Sequence, residues 1–427
     1  MNYFCAMADI NIGKAPSNSA ILPFYATGAL SFLILCILML LSPESLLGNY
    51  FSPHLLAIVH TAALGWGTMI IFGAAHQLLP VICEQDLFNE KIASFSWYTL
   101  TAGVALLVWS FWHFKTGAVM ITGGSLVLLS IIFYVVNVCL TSRICTRYSI
   151  QKLFLVSSAV WLLFTAIVGL LMAINLAHPY FGRNHLNILK LHAHAGLAGW
   201  FLQLITGVSS KLVPMFLLGK SKKEHLLKLA FLFQNLGLLL FLADGYFFGI
   251  TTRILIYAFL VLAGVICWLV YLRDAFINRV RKKLDVMMKH TFFSFISLLA
   301  AVACIPLLWF FKGYQWSILY GSILFMGWIT GIILGKTFKT LPFIVWNGHY
   351  KHLSGKVKVP LPKHLFNEGL VKWQFRFFIA ALLILALGIL IGNIWIVRTA
   401  LILWLGVAGL YGFNVIKILS HKAKTLE

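Results

Sequence analysis

Three imidazoles stand in otherwise apolar sequence: His60, which opens the stretch HTAALGWGTMIIFGAAHQLLP, and His192 and His194 in LHAHAGLAGW. A neutral imidazole offers one N–H and one lone pair. It is therefore a common ligand of haem iron and of copper, and it also serves as an interhelical hydrogen-bonder. Ionisable groups inside a membrane helix are costly and usually mark function. His192 and His194 are two residues apart, so on a helix they point about 200° from each other and address different sites. His76 lies about 24 Å along the axis from His60 and cannot share its site.

The elements that must position these rings are read from composition and hydropathy. Hydrophobic residues make up 61% of the 427 and charged residues 10%, a balance outside the range of soluble domains. Apolar stretches of about 20 residues, long enough to cross the hydrocarbon core, recur twelve times. They run approximately over 20 to 42, 54 to 83, 92 to 113, 116 to 140, 153 to 177, 188 to 219, 226 to 246, 250 to 273, 288 to 311, 314 to 347, 373 to 392 and 394 to 419. The expected fold is all-α and integral to a lipid bilayer, with residues 1–427 as a single membrane domain. The polar N-terminal tail lacks a charged n-region and a small-residue cleavage site, so no signal peptide is expected.

The stretch around His60 appears three times. Residues 194–214 read HAGLAGWFLQLITGVSSKLVP and residues 322–342 read SILFMGWITGIILGKTFKTLP. Without a gap they align Gly65, Gly199 and Gly327; Trp66, Trp200 and Trp328; Gly73, Gly207 and Gly335; and Pro80, Pro214 and Pro342. The copies fall on spans 2, 6 and 10, which divides the chain into repeat units of four helices at approximately 20–145, 150–275 and 288–420. The glycines and tryptophans are read as packing residues. His60 and His194 occupy one repeat position, about 9 Å into the helix by rise per residue. In the third copy Ser322 takes that position and Tyr320 matches His192. Gln77, Lys211 and Lys339 are also equivalent, and snorkelling towards the interface is expected of them.

The net charge of +22 is distributed unevenly. Lys220, Lys222, Lys223, Arg279, Arg281, Lys282, Lys283, Lys351, Lys356, Lys358 and Lys363 fall in connections on one side, whereas the other side carries only Lys115, Arg183, Lys190, Arg253, Lys312 and Arg398. The positive-inside rule makes both termini cytoplasmic, with His60 and His194 towards the outer face of a bacterial inner membrane. The basic clusters are short and lack interleaved aromatics, so no nucleic-acid partner is expected. Cys5, Cys36, Cys83, Cys139, Cys145, Cys267 and Cys304 form no CxxC or CxxCH, which leaves a disulfide framework, a zinc site and covalent haem attachment without support. His290, His349, His352, His364 and His421 fall towards the cytoplasmic side, where surface placement is expected.

At these residues the sequence resembles the haem-copper oxidase subunit I superfamily, including the NnrS family of membrane haem proteins. The resemblance implies a cytochrome oxidase subunit I-like fold, twelve transmembrane helices in three pseudo-symmetric four-helix arcs. It also implies that His60 matches the helix-2 axial ligand of a haem, and that His192 or His194 matches a helix-6 copper ligand. Two departures matter. The seventh span, LLKLAFLFQNLGLLLFLADGYFF, lacks the family's pair of copper-binding histidines, and the tenth, LYGSILFMGW, lacks its HxH. A standard oxygen-reducing binuclear centre cannot be assembled from these residues.

The expectation is that His60 and one of His192 or His194 are ligands of haem b or copper, with the remaining histidine facing a second site helped by His54, His113, His178 or His185. Arg398 is a candidate partner for a haem propionate. The expected function is a divergent membrane haem protein handling electrons or a diatomic gas, O2 or NO, served by a quinol or cytochrome donor or by additional respiratory subunits. Two alternatives stay open: an NnrS-like sensor, carrier or maturation factor without catalysis, and a transporter on the same scaffold. Transport is disfavoured because the repeat is parallel, whereas many secondary transporters use inverted repeats.

Overall fold

The computed structural model describes residues 16–144, 148–311 and 313–423. Cys5, Cys145, Lys312 and nearly all of the N-terminal tail lie outside them. Among the described residues twelve helices are long and apolar enough to span a membrane: α1 (Asn18–Leu41), α2 (Pro53–Cys83), α3 (Glu90–Trp112), α4 (Ala118–Ile144), α5 (Ile150–Ala177), α6 (His185–Leu217), α7 (Glu224–Phe247), α8 (Ile254–Ile277), α9 (Val286–Phe310), α10 (Tyr314–Tyr350), α11 (Glu368–Ile391) and α12 (Ile394–Leu419). The chain is a multi-pass membrane protein of all-α class, and each expected span coincides with one helix.

Helix ends follow local chemistry. Asn184, Asn367, Asn393 and Asp285 each accept from a free N–H in the first turn of α6, α11, α12 and α9. Pro53 opens α2, where its missing N–H leaves nothing unpaired. Gly392 closes α11 in the left-handed region, at φ 73. Asn367 starts α11 several residues before its apolar run, so this helix begins earlier than hydropathy alone places it.

The helices carrying the repeated motif are the most enclosed. In α2, α6 and α10 the buried share of the most apolar stretch is 78%, 72% and 72%, against 22–44% in the other nine. Each passes through a π-helical segment at the same point of the motif: Thr61–Thr68, Ala195–Leu202 and Ile323–Ile329, starting directly after His60, His194 and Ser322. A π segment widens the turn and re-aims the residues beside it, and such segments concentrate at functional sites. Pro80, Pro214 and Pro342 lie inside the helices rather than ending them. A proline frees the carbonyl four residues back, and for Pro214 that carbonyl, Ser210 O, accepts from the Tyr271 hydroxyl at 3.3 Å.

The chain packs as two compact units. Unit 1 comprises His76–Thr99 and Thr116–Lys283; unit 2 comprises Ser17–Ala75, Leu100–Lys115 and the chain from Leu284 onward. Within them the motif glycines admit close neighbours. A Cβ on Gly65, Gly199 or Gly327 would stand 3.2, 2.7 or 2.9 Å from the Cβ of Ser31, Trp161 or Ser297. A Cβ on Gly73, Gly207 or Gly335 would stand 2.8, 2.5 or 3.0 Å from the Cβ of Phe24, Phe154 or His290. The second set of partners lies seven residues before the first on α1, α5 and α9 alike, so each motif helix packs on the helix preceding it in sequence through matching positions.

Three expectations need correction, those for His290, Lys339 and Gln77. His290 is 0% exposed and packs against Phe375 and Phe378, so it is a core residue and not a surface one. Lys339 does not snorkel: it is ion-paired with Asp285 and both side chains are largely buried. Lys211 is exposed as expected, whereas Gln77 is buried. Positions equivalent in sequence have thus taken three different environments.

Candidate functional site

In unit 2 the α2 backbone up to the π segment sets the His60 ring. Its Nδ1 lies 2.7 Å from the carbonyl oxygen of Leu56, one turn back. A carbonyl only accepts, so Nδ1 carries the proton and Nε2 carries the lone pair of the neutral ring. The ring stacks on Phe111 of α3 at 4.5 Å and 29°. His60, Ala63 and Leu64 keep accessible surface while most of their helix is enclosed, so an imidazole and two small apolar side chains share one open side of the helix.

Unit 1 repeats the arrangement on α6. His194 Nδ1 donates to the Lys190 carbonyl, again four residues back, at 2.8 Å, and the ring meets Phe241 of α7 at 5.2 Å. His194, Leu197 and Ala198 keep accessible surface in the same pattern. His192 is held differently. Its Nδ1 donates to the Thr165 carbonyl on α5 at 3.1 Å, and its ring lies in the space left by Gly169, where a Cβ would come within 2.9 Å of Cε1. All three imidazoles are therefore anchored through Nδ1–H to a backbone carbonyl, which leaves Nε2 as the basic nitrogen. Metal-ligating histidines are fixed in this way, the anchor setting both tautomer and ring orientation.

The secondary candidates are placed otherwise. His185, at the start of α6, faces Asn175. The Asn175 Oδ1 accepts from the N–H groups of Tyr180 and Phe181, so its Nδ2 donates to His185 Nδ1 at 3.1 Å. That bond fixes the opposite tautomer and makes His185 part of the loop between α5 and α6. His54 is exposed, with Nδ1 2.9 Å from Ser42 Oγ and its ring stacked on Trp112 at 4.2 Å. Arg398 pairs with Glu44 at 3.2 Å and lies over the Trp395 ring, an exposed ion pair at the start of α12. Asp244 is paired with Arg253 at 3.1 Å, which ties α7 to the start of α8. Asn235 accepts from Trp161 Nε1 and Gln203 Nε2, both at 2.9 Å, and so joins α5, α6 and α7. His60 and His54 belong to unit 2, and His192, His194 and His185 to unit 1.

Three partners of these rings escape a sequence reading. Phe111 and Phe241 stand at offsets of 51 and 47 residues from their histidines and fall outside the aligned motif. Gly169 belongs to no motif at all. The recurrence of a phenylalanine late in spans 3 and 7 is the only signal that pointed to the first two.

Among the described residues no three His, Cys, Asp or Glu side chains converge to hold a metal ion. A haem iron needs only one or two axial nitrogens from the chain.

No family model matches this sequence, and no curated protein matches it either. Among solved structures the chain is similar to a haem-copper terminal oxidase, determined as a dimer by cryo-EM, with a TM-score of 0.69 over 96% of this chain and 86% of the oxidase chain. Sequence identity is 10%. The fold is that of haem-copper oxidase subunit I, and at this identity the likeness concerns the fold alone.

Proposed function

We propose that this chain is a membrane haem b protein on the haem-copper oxidase fold, with His60, His192 and His194 as the residues that would hold the iron through Nε2. The observation that carries the reading is the shared anchor of the three rings. Nδ1–H is committed to a carbonyl in each, and in His60 and His194 that carbonyl belongs to the residue four positions back, beside a π-helical turn. Donation four residues back is open to any helical histidine, and what sets His60 and His194 apart is that each does so at the same repeat position, directly before a π-helical turn. A bound haem would supply reversible one-electron chemistry and an iron site for a diatomic gas. The chain's own part is to hold the imidazoles basic, orient them by the carbonyl anchor and the flanking phenylalanine, and offer an apolar face beside them.

Copper is the second candidate cofactor, at whichever of His192 and His194 does not serve haem. The substrate reading is O2 or NO with a quinol or cytochrome donor. The absence from α7 of a second histidine beside His225, at the start of the helix, and of an HxH from α10 favours, within this reading, an NnrS-like role in sensing, carriage or maturation over oxygen reduction. Three four-helix repeats form the proposed organisation, with both termini cytoplasmic in a bacterial inner membrane, and Arg398, now paired with Glu44, is the residue that would pair with a haem propionate.

The test is a pyridine-haem spectrum and metal analysis on the purified protein, with His60→Ala, His192→Ala and His194→Ala alongside. Haem near stoichiometry in the wild type, most of it lost in at least one variant, is the expected result. A colourless wild type from haem-sufficient cells would leave the scaffold to transport or to binding of another kind.

A further inference from the structure

The cluster that the proposed haem chemistry leaves unexplained lies in unit 2, between α9 and α11. Both nitrogens of His290 and both polar atoms of Gln374 are buried and make no hydrogen bond to any described residue. Each side chain is 0% exposed. The His290 ring packs 4.6 Å from Phe375 and 5.3 Å from Phe378. Gln374 directly precedes Phe375 and shares the buried stripe of α11 with Phe378, one turn further on. His290 thus meets, from α9, the stretch of α11 on which Gln374 stands. Trp404 Nε1 on α12 is also without a partner, and its ring meets the edge of Phe378 at 5.6 Å.

Packing does not account for the imidazole. His290 stands against Gly335 as Phe24 stands against Gly73 and Phe154 against Gly207. Phenylalanine fills the matched space in the other two cases without any polar atom. A neutral imidazole has one donor and one acceptor, and a glutamine amide has two donors and one acceptor oxygen. In a low-dielectric interior such groups are expensive when unpaired, and a direct His290–Gln374 bond would satisfy only one atom on each. Water is the small molecule that both donates and accepts, and buried waters make about three hydrogen bonds to otherwise unsatisfied groups.

We infer that His290 and Gln374 line an internal hydration site between α9 and α11, which holds one or two ordered waters inside the membrane-spanning region. The site lies one turn from Asp285, which caps α9 and is paired with Lys339, while Lys336 Nζ on α10 lies 3.8 Å from Met288 Sδ. The charged end of α9 is thus the short route by which water reaches it. The imidazole N–H exchanges with solvent through these waters.

The experiment is a double-mutant cycle with His290→Phe and Gln374→Leu, read as thermal melting in detergent, together with deuterium exchange at the labelled His290 ring of the wild-type protein. With water shared between the two side chains, each single variant melts below wild type, because the remaining partner and its water lose a bond. The double variant then recovers most of the loss, and the wild-type ring N–H exchanges readily. A dry site gives the reverse: His290→Phe raises the melting temperature by removing two unpaired atoms, the two changes add, and the ring N–H stays protected. That outcome overturns the inference, as would cryo-EM density joining His290 directly to Gln374 with no peak between them. The exchange measurement stands even if a variant fails to fold, and none of these readouts depends on haem.

Discussion

The first two copies of the glycine-tryptophan motif and the third are built on the same packing frame but place their imidazoles at opposite ends of it. Copies one and two carry His60 and His194 just before the π segment and phenylalanine, Phe24 and Phe154, opposite the second glycine. The third copy carries Ser322 before the π segment and His290 opposite the second glycine. Backbone geometry is the same in all three, so the π turn does not need a histidine to form. A frame fixed by glycine contacts lets the polar group move without rebuilding the helix, and the chemistry of each copy is set by one or two side chains.

The sharpest contrast lies at the equivalent positions Lys211 and Lys339. Lys339→Met removes the partner of a largely buried carboxylate, Asp285, which also caps α9. Breaking one half of such a pair costs about 3 kcal/mol, most of it from the charge left behind. Lys211→Met, at an exposed site, is expected to change stability by less than about 0.5 kcal/mol. Thermal unfolding of the two variants in one detergent checks this, and equal shifts would mean that the ion pair contributes nothing that exposure does not already predict.

Next in size is the glycine frame itself. A Cβ on Gly207 would come within 2.5 Å of Phe154 Cβ, whereas one on Gly65 would stand 3.2 Å from Ser31 Cβ. Gly207→Ala forces α5 and α6 apart and is expected to destabilise by about 2 kcal/mol, within the range for overpacking. Gly65→Ala needs a shift of only a few tenths of an ångström by a small serine, and its effect should be well under about 1 kcal/mol. If Gly65→Ala proved the more damaging of the two, the matched contacts would not share a common origin in close packing.

Much of this frame was legible in the sequence. Twelve apolar runs fixed the number of helices, because hydrocarbon thickness demands spans of nearly constant length. The recurrence of Gly, Trp and Pro at fixed offsets singled out the three most enclosed helices, since small residues are what permit close helix approach. Tautomer and surroundings were not legible. That His60 and His194 donate to a carbonyl four residues back follows from the helix itself and could have been anticipated. Contacts such as Phe111 with His60, or Gly169 with His192, depend on how separate helices are rotated against each other. His290 was misread for a related reason: near a helix end, hydropathy cannot tell an inward face from an outward one. Lys339 was misread because its partner Asp285 lies 54 positions away.

The smallest expected effect separates two tryptophans of the motif within unit 2. Trp66 Nε1 donates to Thr330 Oγ1 at 3.0 Å, and its ring stacks on Phe32 at 4.4 Å. Trp328 Nε1 is buried with no partner among the described residues. Thr330→Val preserves shape but strands the Trp66 N–H, at a cost of about 1–2 kcal/mol. Trp328→Phe removes an N–H that is already unpaired, so the lost ring volume is partly offset and the net change should be smaller than a buried tryptophan truncation ordinarily gives. A double-mutant cycle of Thr330→Val with Trp66→Phe isolates the bond. Coupling near zero would show that Trp66 is held by its stacking on Phe32 alone, and the first and third copies would then differ only in their histidines.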